Sequence, residues 1–139
     1  MDNLGLDTTA TPITMYSQAD LLVFQNRFED AFTKLDSLDN MFPGHTLKDD
    51  MYYLKAQIFV KKRDYDNAIT MYQKIIDEHI EEIRADNSLF ELANLYENQM
   101  KDLDKAKELY ERIFIDFSGS TFAVEARKRF RKLRGDAIQ

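Results

Sequence analysis

The residues best suited to chemistry are two histidines set among many carboxylates. His79 lies in Asp77-Glu78-His79-Ile80-Glu81-Glu82, a run that imitates a metal site. A helical zinc site needs a second histidine one turn away, and none stands at that spacing. His45 sits in a Pro43-Gly44-His45-Thr46 loop. The chain has no cysteine, which removes disulfides, thiolate zinc sites and a cysteine nucleophile. No glycine-rich phosphate loop, nucleophile elbow or paired catalytic motif is present. Carboxylate pairs occur throughout an acidic helical chain and carry no meaning alone. The reading is therefore non-enzymatic, with no metal and no cofactor.

One further charged cluster stands out. Arg127, Lys128, Arg129, Arg131, Lys132 and Arg134 crowd near the C-terminus. Such a run is ordinarily a solvated helix face; the sharper reading is contact with an acidic partner. The whole chain carries a net charge of -6, which disfavours general nucleic-acid binding. Hydrophobic residues make up 44% and charged residues 32%, the balance of a folded domain rather than a disordered segment. With only 4 Gly and 2 Pro, long helices are favoured over many turns. No apolar run reaches membrane-spanning length, so no membrane insertion is expected.

The elements that position these residues are amphipathic helices. Leu47, Met51, Leu54 and Ile58 recur at helical spacing, widened by Tyr52, Ala56 and Phe59. Tyr65, Ala68, Ile69, Tyr72, Ile75 and Ile76 do the same. Between them lies a short polar turn, Lys62-Arg63-Asp64, with Asp64 placed to cap the second helix. Thr46, with Asp49 three residues on, is placed to cap the first. So short a break forces the two helices into an antiparallel hairpin.

The hairpin recurs. Ala19, Ala56 and Ala93 stand 37 residues apart in successive first helices. Ala31, Ala68 and Ala106 hold one place in the second helices. Three residues after the first alanine come Leu22, Phe59 and Tyr96; four after the second come Leu35, Tyr72 and Tyr110. Small residues belong where helices cross closely, and large ones fill the hollow beside the crossing. Phe28-Glu29-Asp30-Ala31, Tyr65-Asp66-Asn67-Ala68 and Leu103-Asp104-Lys105-Ala106 then show an aromatic or leucine three residues before alanine.

This pattern resembles the tetratricopeptide repeat (TPR) over about residues 12 to 133. There are departures. The closing proline, present at Pro43, is Ile80 and Ser118 in the next two repeats. The turn glycine is replaced by Asn26 and Arg63, and the third turn carries an extra residue around Met100-Lys101. The resemblance implies an all-α fold: a right-handed superhelical stack of three helix hairpins plus a C-terminal capping helix, about seven helices.

In chain order, residues 1–11 read as a flexible arm with no secretory signal, 12–134 as the helical domain, and 135–139 as a tail. Thr11-Pro12 starts the first helix. The fifth is expected over Glu82 to Gln99 and the sixth over Leu103 to Phe117. Ser120 is placed to cap the seventh, whose inward stripe is Phe122, Ala126, Phe130 and Leu133. Leu21, Leu22, Val23 and Phe24 make the first helix apolar on more than one face. It therefore packed on a preceding repeat of a longer chain, or the N-terminal arm folds over it.

In TPR proteins the first helices line a concave groove. By resemblance the groove positions are Tyr16, Asp20 and Phe24; then Tyr53, Gln57 and Lys61; then Phe90, Asn94 and Glu97; and Arg127 and Arg131 on the capping helix. Tyr16, Tyr53 and Phe90 would form an aromatic ledge that anchors a peptide or helix. Aromatics at helical spacing also serve as core at crossings, so both readings stand for each residue. The chaperone-binding members use a Lys/Asn/Arg clamp for a C-terminal carboxylate. Those places here hold Tyr16, Asp20, Leu54, Asn87 and Glu91, so that ligand class is not implied.

Two functions follow. One is a non-catalytic scaffold holding a protein or peptide partner in the groove. The other is a self-assembling segment, a homo-oligomer formed through helix one. The junction Phe117-Ser118-Gly119-Ser120 with Ala123-Val124-Glu125-Ala126-Arg127-Lys128 is similar to junctions in bacterial envelope TPR proteins. It implies a periplasmic or envelope location if the chain was cut from an exported parent.

Overall fold

The computed structural model describes residues 11–78 and 84–135. Among them seven α-helices follow one another and no strand occurs. They are α1 (Pro12–Phe24), α2 (Phe28–Met41), α3 (Lys48–Lys61), α4 (Tyr65–Glu78), α5 (Arg84–Asn98), α6 (Leu103–Asp116) and α7 (Ala123–Arg134). Helices α1/α2, α3/α4 and α5/α6 form three hairpins, and α7 packs on α6. The substantial contacts run between elements one or two apart in the chain, as in a stacked repeat array.

The alanines set the geometry. Ala19, Ala31, Ala56, Ala68, Ala93 and Ala106 are all fully buried, one pair per hairpin. The large side chains after each second-helix alanine fill the space beside the crossing: Leu35 and Leu38, Tyr72 and Ile75, Tyr110 and Ile113 are buried too. Helix α3 serves two cores. Met51, Leu54 and Ile58 pack into the N-terminal cluster with Met15, Val23 and Leu35. Tyr53 and Ala56 pack into the larger cluster that runs through α7. A helix between two repeats must be apolar on two faces, which α3 is.

The turns inside the hairpins share one backbone solution. Asn26, Arg63 and Lys101 have φ of 62°, 61° and 58°, the left-handed region, at the place where a glycine would cost least. In the first two turns the N–H of the following residue closes on the helix: Arg27 to the Leu22 carbonyl and Asp64 to the Phe59 carbonyl, each at 2.8 Å. In the third, Asp102 reaches back one residue further, to Tyr96, at the same distance. The extra residue at Met100-Lys101 is thus absorbed in a wider turn of the same kind. Gly135, φ 96°, ends α7 in the same conformation.

The caps match in part. Thr11 accepts from the Thr14 N–H with Pro12 at the first helical position, and Asp102 accepts from the Lys105 N–H at 3.1 Å. Asp64 accepts from the Asn67 N–H at 3.4 Å and from its side-chain amide at 2.7 Å. Thr46 does not cap α3: the cap residue is Leu47, without a side-chain bond. Beside it, His45 Nδ1 accepts from the Leu47 N–H at 3.0 Å. Its Nε2 therefore carries the proton and donates to Asp39 at 2.9 Å. Burial works against the Asp39 carboxylate, but Lys48 and His45 outweigh it and hold its pKa below the ordinary value. The histidine is thereby a strut between α2 and α3. Ser120 accepts from the Phe122 N–H at 3.0 Å, and α7 starts later, at Ala123. Residues 1–10, Ile80, Glu82, His79 and 136–139 lie outside the described residues, as do the arm's cover over α1 and the tail beyond Gly135.

Arg63→Gly removes a side chain held at positive φ and should raise the unfolding free energy by about 0.5–1 kcal/mol in urea melts. Asn26→Gly should gain less, because asparagine tolerates this conformation. A loss of stability at Arg63→Gly would contradict the turn geometry.

Candidate functional site

The first helices α1, α3 and α5 carry nine of the eleven groove positions, and the structure divides these into a closed end and an open one. At the closed end stands Arg84, at the start of α5. Its Nε lies 2.9 Å from Asp50 on α3, and its guanidinium sits 4.6 Å from the centre of the Tyr53 ring. Burial works against the Arg84 charge, but Asp50 outweighs it and raises its pKa. Tyr16 on α1 is half-buried; burial, offset in part by Arg84, pushes its phenol up to about 12. Asp50, Asp20 and Tyr53 act on it in the same direction as burial. Arg84, which the sequence reading did not single out, thus ties the third hairpin to the second, and its charge reaches Tyr16 of the first.

The aromatic ledge is corrected here. Tyr53 is only 7% exposed and meets Tyr72 edge-on at 5.8 Å under the Arg84 guanidinium. Phe90 stacks on Phe122 at 4.8 Å and meets Tyr110 edge-on at 5.9 Å. Both rings are packing residues, since each has its faces taken by neighbours. Phe24 is the opposite case: it is 84% exposed at the end of α1, near exposed Leu21.

The capping helix is corrected as well. Arg127 and Arg131 face α6: with Glu111, Phe114 and Phe130 they line a hollow of about 200 Å³, and Arg127 sits 5.2 Å from the Phe114 ring centre. Arg129 is the residue that reaches the first helices. Its Nη1 donates to Asn94 Oδ1 at 3.0 Å and lies 3.4 Å from Glu97 Oε1. The Tyr110 hydroxyl lies 2.8 Å from both of those oxygens and donates to one at a time. Burial and Glu97 push that phenol above its ordinary pKa, against the pull of Arg129. Asn94 and Glu97 are therefore engaged in tying α5 to α6 and α7. The signal was present: Phe122, Ala126, Arg129 and Leu133 follow a four-three-four spacing that puts Arg129 on the inward arc.

At the open end α3 and α5 part. A cleft of about 380 Å³ lies between them, lined by Gln57, Val60 and Lys61 of α3, Tyr72 of α4, and Glu91, Asn94 and Leu95 of α5. Three expected groove residues, Gln57, Lys61 and Asn94, meet there. Val60, Tyr72 and Leu95 give it apolar walls. Glu91 is held above its ordinary pKa by burial. Its first-helix equivalent in the second hairpin, two residues before the alanine, is Leu54, which is buried. Among the described residues no three His, Cys, Asp or Glu side chains are arranged to hold a metal. No helix among them is long and apolar enough to cross a membrane.

A raised carboxyl pKa means that the folded state resists ionising Glu91. Its destabilising effect is absent below the ordinary value of 4.5 and grows as pH rises through the raised one. Glu91→Leu, restoring the residue type of Leu54, should raise stability at pH 7 by about 1–2 kcal/mol in thermal or urea unfolding, with the gain shrinking in acid. A gain independent of pH, or a loss, would contradict this.

Residues 49–78 and residues 87–120 each match a family model described as tetratricopeptide repeat. No curated protein matches the chain. The matched stretches cover the second hairpin and most of the third with its following loop. The first hairpin repeats their buried alanines at Ala19 and Ala31 and their left-handed turn at Asn26. Alanine-centred hairpins in register, two of them matched by sequence, make this chain a member of the tetratricopeptide repeat family.

Proposed function

We propose that this chain is a scaffold that holds a segment of a partner protein along its first helices, with the cleft between α3 and α5 as the main anchor. Tetratricopeptide repeats are protein-interaction modules without chemistry of their own. What supports the finer reading is the cleft itself. It brings Gln57, Lys61 and Asn94 around a concave, partly apolar space, the kind of surface that takes a side chain from a bound segment. The closed end, where Arg84 lies over the Tyr53 ring and pairs with Asp50, acts as a rigid wall that fixes the cleft rather than as the contact surface.

A second reading has its own observation. Ile13, Leu21 and Phe24 are 61%, 55% and 84% exposed on α1. In α3 the residue equivalent to Leu21 is Ile58, fully buried against the preceding hairpin. On this reading α1 stacks on another repeat, from a second copy or from a longer chain.

A randomised peptide library selected on the immobilised chain separates the two. Groove binding predicts selected peptides that bind about tenfold or more weakly to Gln57→Arg/Asn98→Arg, with circular dichroism and melting unchanged. Binders insensitive to that double change, or lost instead on Phe24→Asp, would overturn the groove reading. Stacking through α1 predicts an association that rises with concentration in sedimentation and disappears in Phe24→Asp.

A further inference from the structure

The two inter-hairpin seams are built from the same positions with different chemistry. On α3 the residues facing the first hairpin are Met51, Leu54 and Ile58, all buried in an apolar cluster. The equivalent residues on α5, facing the second hairpin, are Ser88, Glu91 and Leu95. Ser88 is fully buried, and its hydroxyl has no partner among the described residues. Glu91 takes the place of a packed leucine.

A carboxylate there cannot fill the seam as leucine does, and the cleft of about 380 Å³ opens beside it. Among the described residues Glu91 has neither a hydrogen bond nor an ion pair; burial alone accounts for its shifted titration. The cations nearest this face are otherwise placed. Arg84 is committed to Asp50, and Arg129 to Glu97 and Glu125. Lys61 lines the same cleft but stands exposed and forms no ion pair with Glu91. The space is larger than one long side chain needs. Its walls of Val60, Leu95 and the Tyr72 ring suit methylene groups, and Gln57 and Asn98 line the same cleft as the carboxylate.

We infer that this cleft is a subsite for one lysine or arginine side chain of the bound protein segment, with Glu91 as its counter-ion. The inference rests on the groove reading above and adds the chemistry of the partner. The aliphatic stem packs on Val60, Leu95 and Tyr72, and the cationic head meets Glu91 away from bulk water. An ion pair formed there is less screened than one on the open surface. Arginine has the advantage over lysine, because its planar fork engages both carboxylate oxygens and stacks on an aromatic face. The seam thus gives up apolar packing and gains a recognition element.

The side-chain amides of Gln57, Asn94, Asn98 and Gln99 line the cleft and report on it directly in nitrogen-15 correlation spectra. The full chain is titrated with N-acetyl-arginine amide, N-acetyl-lysine amide, N-acetyl-norleucine amide and N-acetyl-glutamine amide. The arginine and lysine probes should move these amide signals, arginine at lower concentration, and the other two should not. In Glu91→Gln, whose spectrum shows whether the fold is kept, the arginine response should weaken by about tenfold. An equal response to norleucine, no response to arginine, or an unchanged response in Glu91→Gln overturns the inference. The peptide selection separates this from the broader reading. Groove-dependent binders without lysine or arginine overturn the subsite alone, whereas a selection without groove-dependent binders overturns the groove and the subsite together.

Discussion

Close approach of two helices at a small residue is the constraint on which this fold depends. Each hairpin places one alanine from either helix at its crossing, and all six are fully buried. Helix axes about 8–10 Å apart leave no room there for a larger side chain. The bulk displaced from the crossing reappears beside it, in Leu35, Tyr72 and Tyr110, which stand four residues after the alanine in each second helix. Fixing the crossing fixes how each hairpin presents its outer faces, and successive hairpins then stack in one register.

From that register the first helices come to lie side by side, and side chains pass between them. Two arginines lie over the aromatic rings of this face: Arg84 over Tyr53, and Arg129 at 5.8 Å from the Phe90 ring centre. Each also meets a carboxylate, Asp50 or Glu97. Cation, ring and carboxylate together make a half-buried contact stronger than any one of them on the open surface. By contrast, Lys62 and Glu29 pair at 2.8 Å with both side chains well exposed, and such a pair contributes little. The second and third hairpins depart from each other where Glu91 stands in the place of Leu54, and the cleft lies beside it.

The fold was legible because its period and its small residues are local signals. Seven helices and the hairpin pairing follow from spacing along the chain. The site was legible only in part, for physical reasons. Whether Tyr53 is exposed depends on Arg84, which arrives from the next hairpin, 31 residues later. Arg127 and Arg131 were placed in the groove by resemblance, but Arg129 lies on the apolar arc and its charge is met by Asn94, Glu97 and Glu125. A long basic side chain can start among apolar residues and carry its head elsewhere, which a binary pattern does not register. Thr46 does not cap because α3 begins one residue later, behind Leu47, a shift that spacing rules do not resolve. Glu91 was readable by aligning the second and third hairpins at their first-helix alanines, since a charge then falls opposite Leu54.

The most direct measurement is the unfolding free energy of Ala68→Leu, with Lys132→Ala as the surface reference. Ala68 sits at the central crossing with no exposed surface, so the added side chain must push α3 and α4 apart. Overpacking of this kind should cost about 1–3 kcal/mol, whereas the surface change should stay within about 0.5 kcal/mol. A neutral Ala68→Leu would contradict the account, because the crossing would then not be the contact that sets the register of the stack.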